Sequence, residues 1–137
     1  LWPQIAAGSV LISHRKYTKC FLLIFFTQAT FFVTDLLKNF VCRERPGYMC
    51  YPGFSFPSGH SSTTMCFLGI LIYLVLHYCK TDFWRYFLTG LFGLWIVLVG
   101  ISRMWLGVHF PIDVLCGMFL GFLMVNLFII VSKALSK

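Results

Sequence analysis

The stretch FPSGHSSTTMCFLGILIYLVLHY, residues 56–78, sets a proline, a serine, a glycine and a histidine at the head of a long apolar run. At about 1.5 Å per residue, a helix of that length with its flanks crosses a hydrocarbon core of about 30 Å. Comparable runs occupy residues 21–37, 83–101 and 112–131, and a shorter one covers residues 1–12. The pattern predicts an all-α fold, a polytopic transmembrane helix bundle with four full spans and a partial one at the N-terminal end.

Composition agrees. Of 137 residues, 59% are hydrophobic and 11% charged, against roughly 45–50% apolar for an ordinary soluble domain, and the mean hydropathy is +0.85. Sixteen Phe, four Trp and six Tyr suit lipid-facing surfaces and interfacial belts. No internal repeat or linker divides the chain, so residues 1–137 read as a single membrane-embedded domain. The net charge of +7 does not signal nucleic acid, because the basic residues form no run longer than Arg15 and Lys16 and lie at the ends of apolar segments. The first dozen residues resemble the tail of a helix and begin with Leu, so N-terminal spans are expected to be missing, and no cleavable leader is visible.

The cations also set an orientation. If the spans alternate, Arg15, Lys16, Lys19, Lys80, Arg85, Lys133 and Lys137 share one side, and an excess of positive charge marks the cytoplasmic face. The opposite, exoplasmic side then carries Lys38, Arg43, Arg45 and Arg103 with His60 and His109. Three segments hold this second group, each at a helix end: KNFVCRERP (38–46), PSGH (57–60) and SRMWLGVHFPID (102–113). Brought together by helix packing, Lys38, Arg45 and Arg103 would crowd positive charge at one point, which is unfavourable unless an anion shares the site. An oxyanion is the expected partner.

Pro57 and Pro111 stand at or just before first turns, and Ser58 and Gly59 would open a helix where backbone N–H groups can approach a ligand. Two helix N-termini, each equivalent to about half a positive charge, would suit a phosphate. His109 and Asp113 are four residues apart. On a helical turn the carboxylate can reach one ring nitrogen, fix the tautomer and leave the other to attack phosphorus. His60, opening a different helix, is placed to protonate the leaving oxygen. The cations would stabilise the equatorial oxygens, which is most of what phosphoryl transfer requires of a protein.

In order and without a gap, Lys38, Arg45 and Pro46, then Pro57, Ser58, Gly59 and His60, then Ser102, Arg103, His109 and Asp113 resemble the three signature motifs of the type 2 phosphatidic acid phosphatase superfamily. The resemblance spans residues 38–113, over half of the chain. It implies a membrane phosphatase with a phosphohistidine intermediate on His109, Asp113 as its orienting partner and His60 as general acid. Lys38, Arg45, Ser58, Gly59 and Arg103 are the implied phosphate ligands. The implied substrate is a lipid phosphomonoester or diphosphate taken from the bilayer, with no metal or other cofactor. The acidic residues, Asp35, Glu44, Asp82 and Asp113, are in any case too few and scattered for a two-metal site. The family's usual core has six helices, more than the spans read here.

A phosphatase for a soluble phosphate ester and a non-catalytic lipid-binding protein are the alternative functions. The soluble vanadium haloperoxidases share such an oxyanion site but lack these spans. Short loops point to a bacterial cytoplasmic membrane, with the endoplasmic reticulum or another eukaryotic membrane as alternative. The particular lipid and the oligomeric state are open at this stage. Of the other polar residues, His14 and His77 read as interfacial, Arg43 and Glu44 as a solvated pair, and Asp35 as a supporting ion pair with Lys38. Cys20, Cys66, Cys79 and Cys116 read as small apolar residues. Cys42 and Cys50 bracket an exoplasmic loop in which a disulfide is possible.

Overall fold

The computed structural model describes residues 17–46 and 52–135. Four helices follow one another: α1 (Tyr17–Val41), α2 (Gly59–Tyr78), α3 (Asp82–Trp105) and α4 (Pro111–Ala134). All four are long and apolar enough to cross a membrane. Lipid leaves such segments no alternative to the helix, because every backbone N–H and C=O must be satisfied within the segment. The partial span expected over residues 1–12 lies outside the described residues.

Residues 79–81 join α2 to α3 and residues 106–110 join α3 to α4, links short enough to make consecutive helices antiparallel neighbours. The hub is α2, which touches the other three helices and packs most extensively on α4, while α3 rests chiefly against α2 at the periphery. Helices α2 and α4 run parallel, with Ser58 beside Gly117, Ser62 beside Gly121 and Gly69 beside Val125. A Cβ on Gly117 would lie 2.5 Å from the Ser58 carbonyl oxygen, closer than real atoms approach. Gly121 is as tightly covered by Ser62 and Met65. The segment GMFLG, residues 117–121, therefore gives α4 a small-residue strip into which the α2 backbone settles.

The interior changes character along the bundle. At one end Leu22, Leu23 and Phe26 of α1, Cys66, Ile70 and Leu74 of α2, and Val125 and Phe128 of α4 form an apolar core. There the Phe26 and Phe128 rings meet edge to face, with centroids 5.9 Å apart. Towards the other end hydroxyls replace hydrocarbon: Thr27, Thr30, Thr34, Ser58, Ser61 and Ser62 are all buried. Thr27, Thr30 and Thr34 each donate to the carbonyl four residues back at 2.7 Å, so their burial leaves no orphaned hydroxyl. Thr34 Oγ1 also meets Ser62 Oγ at 2.8 Å, which ties α1 to α2. This polar layer leads to the helix ends that carry Lys38, Gly59, Arg103 and Asp113. Lys19, Lys80, Arg85 and Lys133 gather at the opposite end, and Arg15, Lys16 and Lys137 lie outside the described residues.

Enlarging the strip should push α2 off α4. Gly117→Leu is expected to destabilise the fold by about 1–3 kcal/mol, the usual range for overpacking. Leu123→Ala, at a residue 47% exposed, should cost much less. Thermal unfolding of both variants in one detergent checks the contrast, and equal midpoints would refute the close contact.

Candidate active site

Helix α1 stops just past Lys38. Cys42 takes a left-handed backbone, φ 50°, and its N–H closes the last turn on the Lys38 carbonyl at 2.9 Å, the usual way of turning a chain out of a helix. The loop that follows is pinned by buried Ser55, whose N–H donates to the Arg43 carbonyl at 2.8 Å and whose hydroxyl donates to the Glu44 carbonyl at 2.9 Å.

This turn directs Arg43 onto α4. Its Nη1 donates to Asp113 Oδ1 at 2.8 Å, and its guanidinium carbon sits 4.3 Å from the centre of the Phe110 ring. The solvated Arg43–Glu44 pair expected from sequence is thus replaced by a long-range pair. Asp113 is fully buried, and a carboxylate removed from water holds a guanidinium more firmly than an exposed neighbour does. Asp113 Oδ2 in turn accepts the Phe110 N–H at 2.9 Å, and its backbone carbonyl accepts the Ser58 N–H at 2.9 Å. The carboxylate therefore fills the positive end of α4 itself, as the N3 residue of a capping box does. Of the two helix starts expected to receive a phosphate, only that of α2 is left open by this arrangement.

His109, 5% exposed, has its Nδ1 3.9 Å from Asp113 Oδ2. That is near enough for charge interaction but beyond a hydrogen bond, and Nδ1 has no hydrogen-bond partner among the described residues. Burial pushes the imidazole pKa down from 6.5 to about 4, helped by the charges of Arg45 and Lys38 and opposed by the Ser55 backbone and Asp113. At neutral pH the ring is uncharged and keeps a lone pair.

The other expected site residues gather around α2's first turn. Lys38, Gly59 and His60 line a cavity of about 340 Å³ together with Phe31, Thr34, Asp35 and Thr63. Ser58 precedes the helix without capping it through its side chain, so the first-turn N–H groups have no partner within the helix. A Cβ on Gly59 would come within 4.0 Å of Lys38 Nζ. His60 is exposed and lies in the field of Arg103, Lys38 and Arg45. Arg45 is held by the carbonyls of Gly53 at 3.1 Å and Val108 at 3.3 Å, beside His109. Arg103 Nε donates to Ser102 Oγ at 3.3 Å.

The three segments thus meet at one end of the bundle, although His109, Arg45, Arg103 and Ser58 do not form the cavity wall itself. The ion pair expected between Asp35 and Lys38 does not close to a salt bridge among the described residues, although the Asp35 charge acts on Lys38 at longer range. Asn39 Nδ2 reaches Asp35 Oδ2 at 3.5 Å, while Lys38 Nζ lies near Gly59. His77 stacks on Tyr73 at 5.8 Å, far from the site, whereas His14 and Cys50, and with Cys50 the disulfide to Cys42, fall outside the described residues. Among the described residues no three His, Cys, Asp or Glu side chains converge as a metal site would require.

This arrangement of helix-end motifs has relatives. The sequence profile of the PAP2 superfamily matches residues 18–137. The chain belongs to that superfamily. It is 34% identical over 124 residues to phosphatidylglycerophosphatase B of Bacillus subtilis, covering 88% of this chain and 61% of that protein. It is 30% identical over 135 residues to the bacitracin transport permease protein BcrC of Bacillus licheniformis, covering 87% of this chain and 60% of that one. The crystal structure of a transmembrane PAP2-type phosphatidylglycerolphosphate phosphatase from Bacillus subtilis superposes with a TM-score of 0.84 at 30% identity, covering 96% of this chain and 67% of that one. The PAP2 fold seen here is that of an integral membrane protein, and the chain spans about three fifths of the length of the two curated relatives.

Arg43 is the site residue that sequence reasoning missed. Its signal was a surplus of cations beside a single nearby carboxylate, Glu44. Arg43→Ala should leave Asp113 buried and unpaired, at a cost of about 3 kcal/mol, the low end for breaking a buried pair because Arg43 is partly exposed. Adding Asp113→Asn should recover part of that loss, and simple additivity in the double variant would refute the coupling.

The His109 shift has a definite sign. Its folded pKa of about 4 lies below the unfolded 6.5, so between these values the unfolded chain binds more protons. His109 thus makes stability fall as pH drops from 6.5 towards 4 and contributes no slope above that window. NMR titration of histidine-labelled protein should show His109 neutral at pH values where exposed histidines are already protonated, and a midpoint near 6.5 would refute the burial argument.

Proposed function

We propose that this PAP2 protein is a lipid phosphatase that removes a terminal phosphate from a lipid phosphomonoester or diphosphate through a phosphohistidine. The observation that carries the reading is the field at the helix ends: Lys38, Arg45 and Arg103 act together on His60, and Lys38 and Arg45 act on a neutral, buried His109. Such a surplus suits an oxyanion.

In this mechanism a His109 ring nitrogen attacks phosphorus while Lys38, Arg45, Arg103 and the open first turn at Ser58 and Gly59 hold the phosphoryl oxygens. The bond from phosphorus to the ester oxygen breaks, and His60 gives that oxygen its proton. Water then attacks the phosphohistidine, His60 takes the water's proton, and inorganic phosphate leaves with the imidazole regenerated. As the new N–P bond makes the ring positive, Asp113 lies 3.9 Å away, where that charge appears. Asp113 is thus the charge-balancing partner of His109 and, at 3.9 Å, not the hydrogen-bonded orienting partner that the spacing suggested, and no step needs a metal or another cofactor.

The cation distribution in the sequence supports a site on the exoplasmic face, because Arg15, Lys16, Lys19, Lys80, Arg85, Lys133 and Lys137 outnumber Lys38, Arg43, Arg45 and Arg103. The relatives named as phosphatidylglycerophosphatases favour a glycerophosphate headgroup and a bacterial cytoplasmic membrane.

Phosphate release from a panel of lipid phosphates in detergent tests the reading. Release should persist in excess EDTA, fall by about a thousandfold or more in His109→Ala, and be inhibited competitively by orthovanadate. EDTA-sensitive release, or near-normal turnover by His109→Ala, would overturn it.

A further inference from the structure

The phosphoryl mechanism leaves one charged wall of the cavity unused. Asp35 lines the same space as Lys38, Gly59 and His60, inside a membrane-spanning helix, where an ionisable side chain is costly and needs a reason. It is exposed, forms no salt bridge among the described residues, acts on Lys38 at longer range and receives a long contact from Asn39 at 3.5 Å. Next to a phosphate, a bare carboxylate repels the substrate.

The neighbours sharpen the problem. The other hydroxyls on the wall are occupied: Thr34 Oγ1 bonds to the Thr30 carbonyl and to Ser62, and Thr63 Oγ1 donates to the Gly59 carbonyl at 2.7 Å. Those hydroxyls keep acceptor lone pairs, but Asp35 is the carboxylate among the described lining residues. Three residues before Lys38, it lies about 4.5 Å deeper along the helix axis on the same face, with Phe31 one turn deeper again. A lipid whose phosphate sits at Lys38 would pass Asp35 on its way to the hydrocarbon.

Building on the phosphatase reading, we infer that Asp35 is a specificity-determining residue that accepts a hydrogen bond from a hydroxyl or ammonium group next to the scissile phosphate ester. Lipid phosphates with such a donor, as on a glycerol or an amino alcohol, gain a charge-assisted hydrogen bond. Those without one, such as polyprenyl phosphates, meet only the repulsion. The carboxylate thus acts by both attraction and rejection, as specific sites generally do.

A matched pair of substrates tests this: a 1-acylglycerol 3-phosphate with its free hydroxyl, and the analogue of equal chain length with that hydroxyl replaced by hydrogen. The full chain in detergent should favour the hydroxyl lipid by about tenfold to a hundredfold in kcat/KM, the range for a hydrogen bond to a charged group. Asp35→Ala should lose rate on the hydroxyl lipid and gain rate on the deoxy analogue, bringing the ratio near unity, while Asp35→Asn, which keeps an acceptor without the charge, should fall between. Opposite changes on two substrates within one preparation cannot arise from misfolding. Equal wild-type rates, or an equal loss on both substrates in Asp35→Ala, would overturn the inference and leave the phosphatase standing. Absence of turnover on either substrate and on every other lipid phosphate would overturn the phosphatase reading and the inference with it.

Discussion

The buried carboxylate of Asp113 is the constraint on which the site depends. With no exposure to water, it needs compensation from every direction. It receives the Arg43 guanidinium from the loop after α1 and the Phe110 N–H from the loop between α3 and α4, while its own peptide carbonyl takes the N–H of Ser58 at the start of α2. Those contacts join all three helix-end segments. The rest follows by geometry: with the first loop anchored through Arg43, Arg45 reaches the Val108 carbonyl beside His109, and with Ser58 anchored, Gly59 and His60 open onto the cavity that Lys38 lines.

The same pairing shapes the electrostatics. With Asp113 turned to Arg43 and the Phe110 N–H, its carboxylate stays 3.9 Å from His109 Nδ1, and burial, Arg45 and Lys38 hold the imidazole neutral against the Ser55 backbone and Asp113. A histidine held neutral in this way is a ready nucleophile, whereas a close carboxylate contact would favour its proton. In the proposed reaction an arriving phosphate reverses the field, and the ring becomes cationic only as the bond to phosphorus forms. Asp113 is then near enough to favour the charged product while contributing little to the resting state, which is the differential stabilisation that catalysis needs.

Much of this was legible in the sequence, for identifiable reasons. The helices were readable because lipid admits few alternatives, so each of the four long apolar runs became one helix. Lys38, Arg45, Arg103, His60 and His109 stood out as polar residues at helix ends that neither topology nor solubility required. What escaped depended on orientation. The spacing of His109 and Asp113 was compatible with a hydrogen bond, but the carboxylate turned to Phe110 and Arg43, a partner 70 positions away in sequence. Arg43 and Glu44 looked like a local pair because adjacency is visible in a sequence and burial is not. Asp35 and Lys38 share a helix face, yet they interact at longer range rather than as a close pair, with Lys38 near Gly59. The close approach of α2 and α4 did leave a signal, the two glycines four apart in GMFLG, whose role appears only once a partner helix is placed against them.

That approach explains how a polar site is held in place inside a membrane. Apolar burial cannot press these helices together, since lipid tails solvate Leu and Phe as well as another helix does. Cohesion has to come from shape and from hydrogen bonds, and the two are arranged along α2. Beside α4, the glycines let backbones touch and set the height of Ser58 against Asp113. Beside α1, the Thr34–Ser62 hydroxyl contact sets the height of Lys38 against Gly59. The apolar core of Phe26, Ile70 and Phe128 lies at the far end, so it fixes the helices without entering the chemistry. Registers along two faces of one helix therefore decide whether the cations of α1 and the histidine preceding α4 act on the same point.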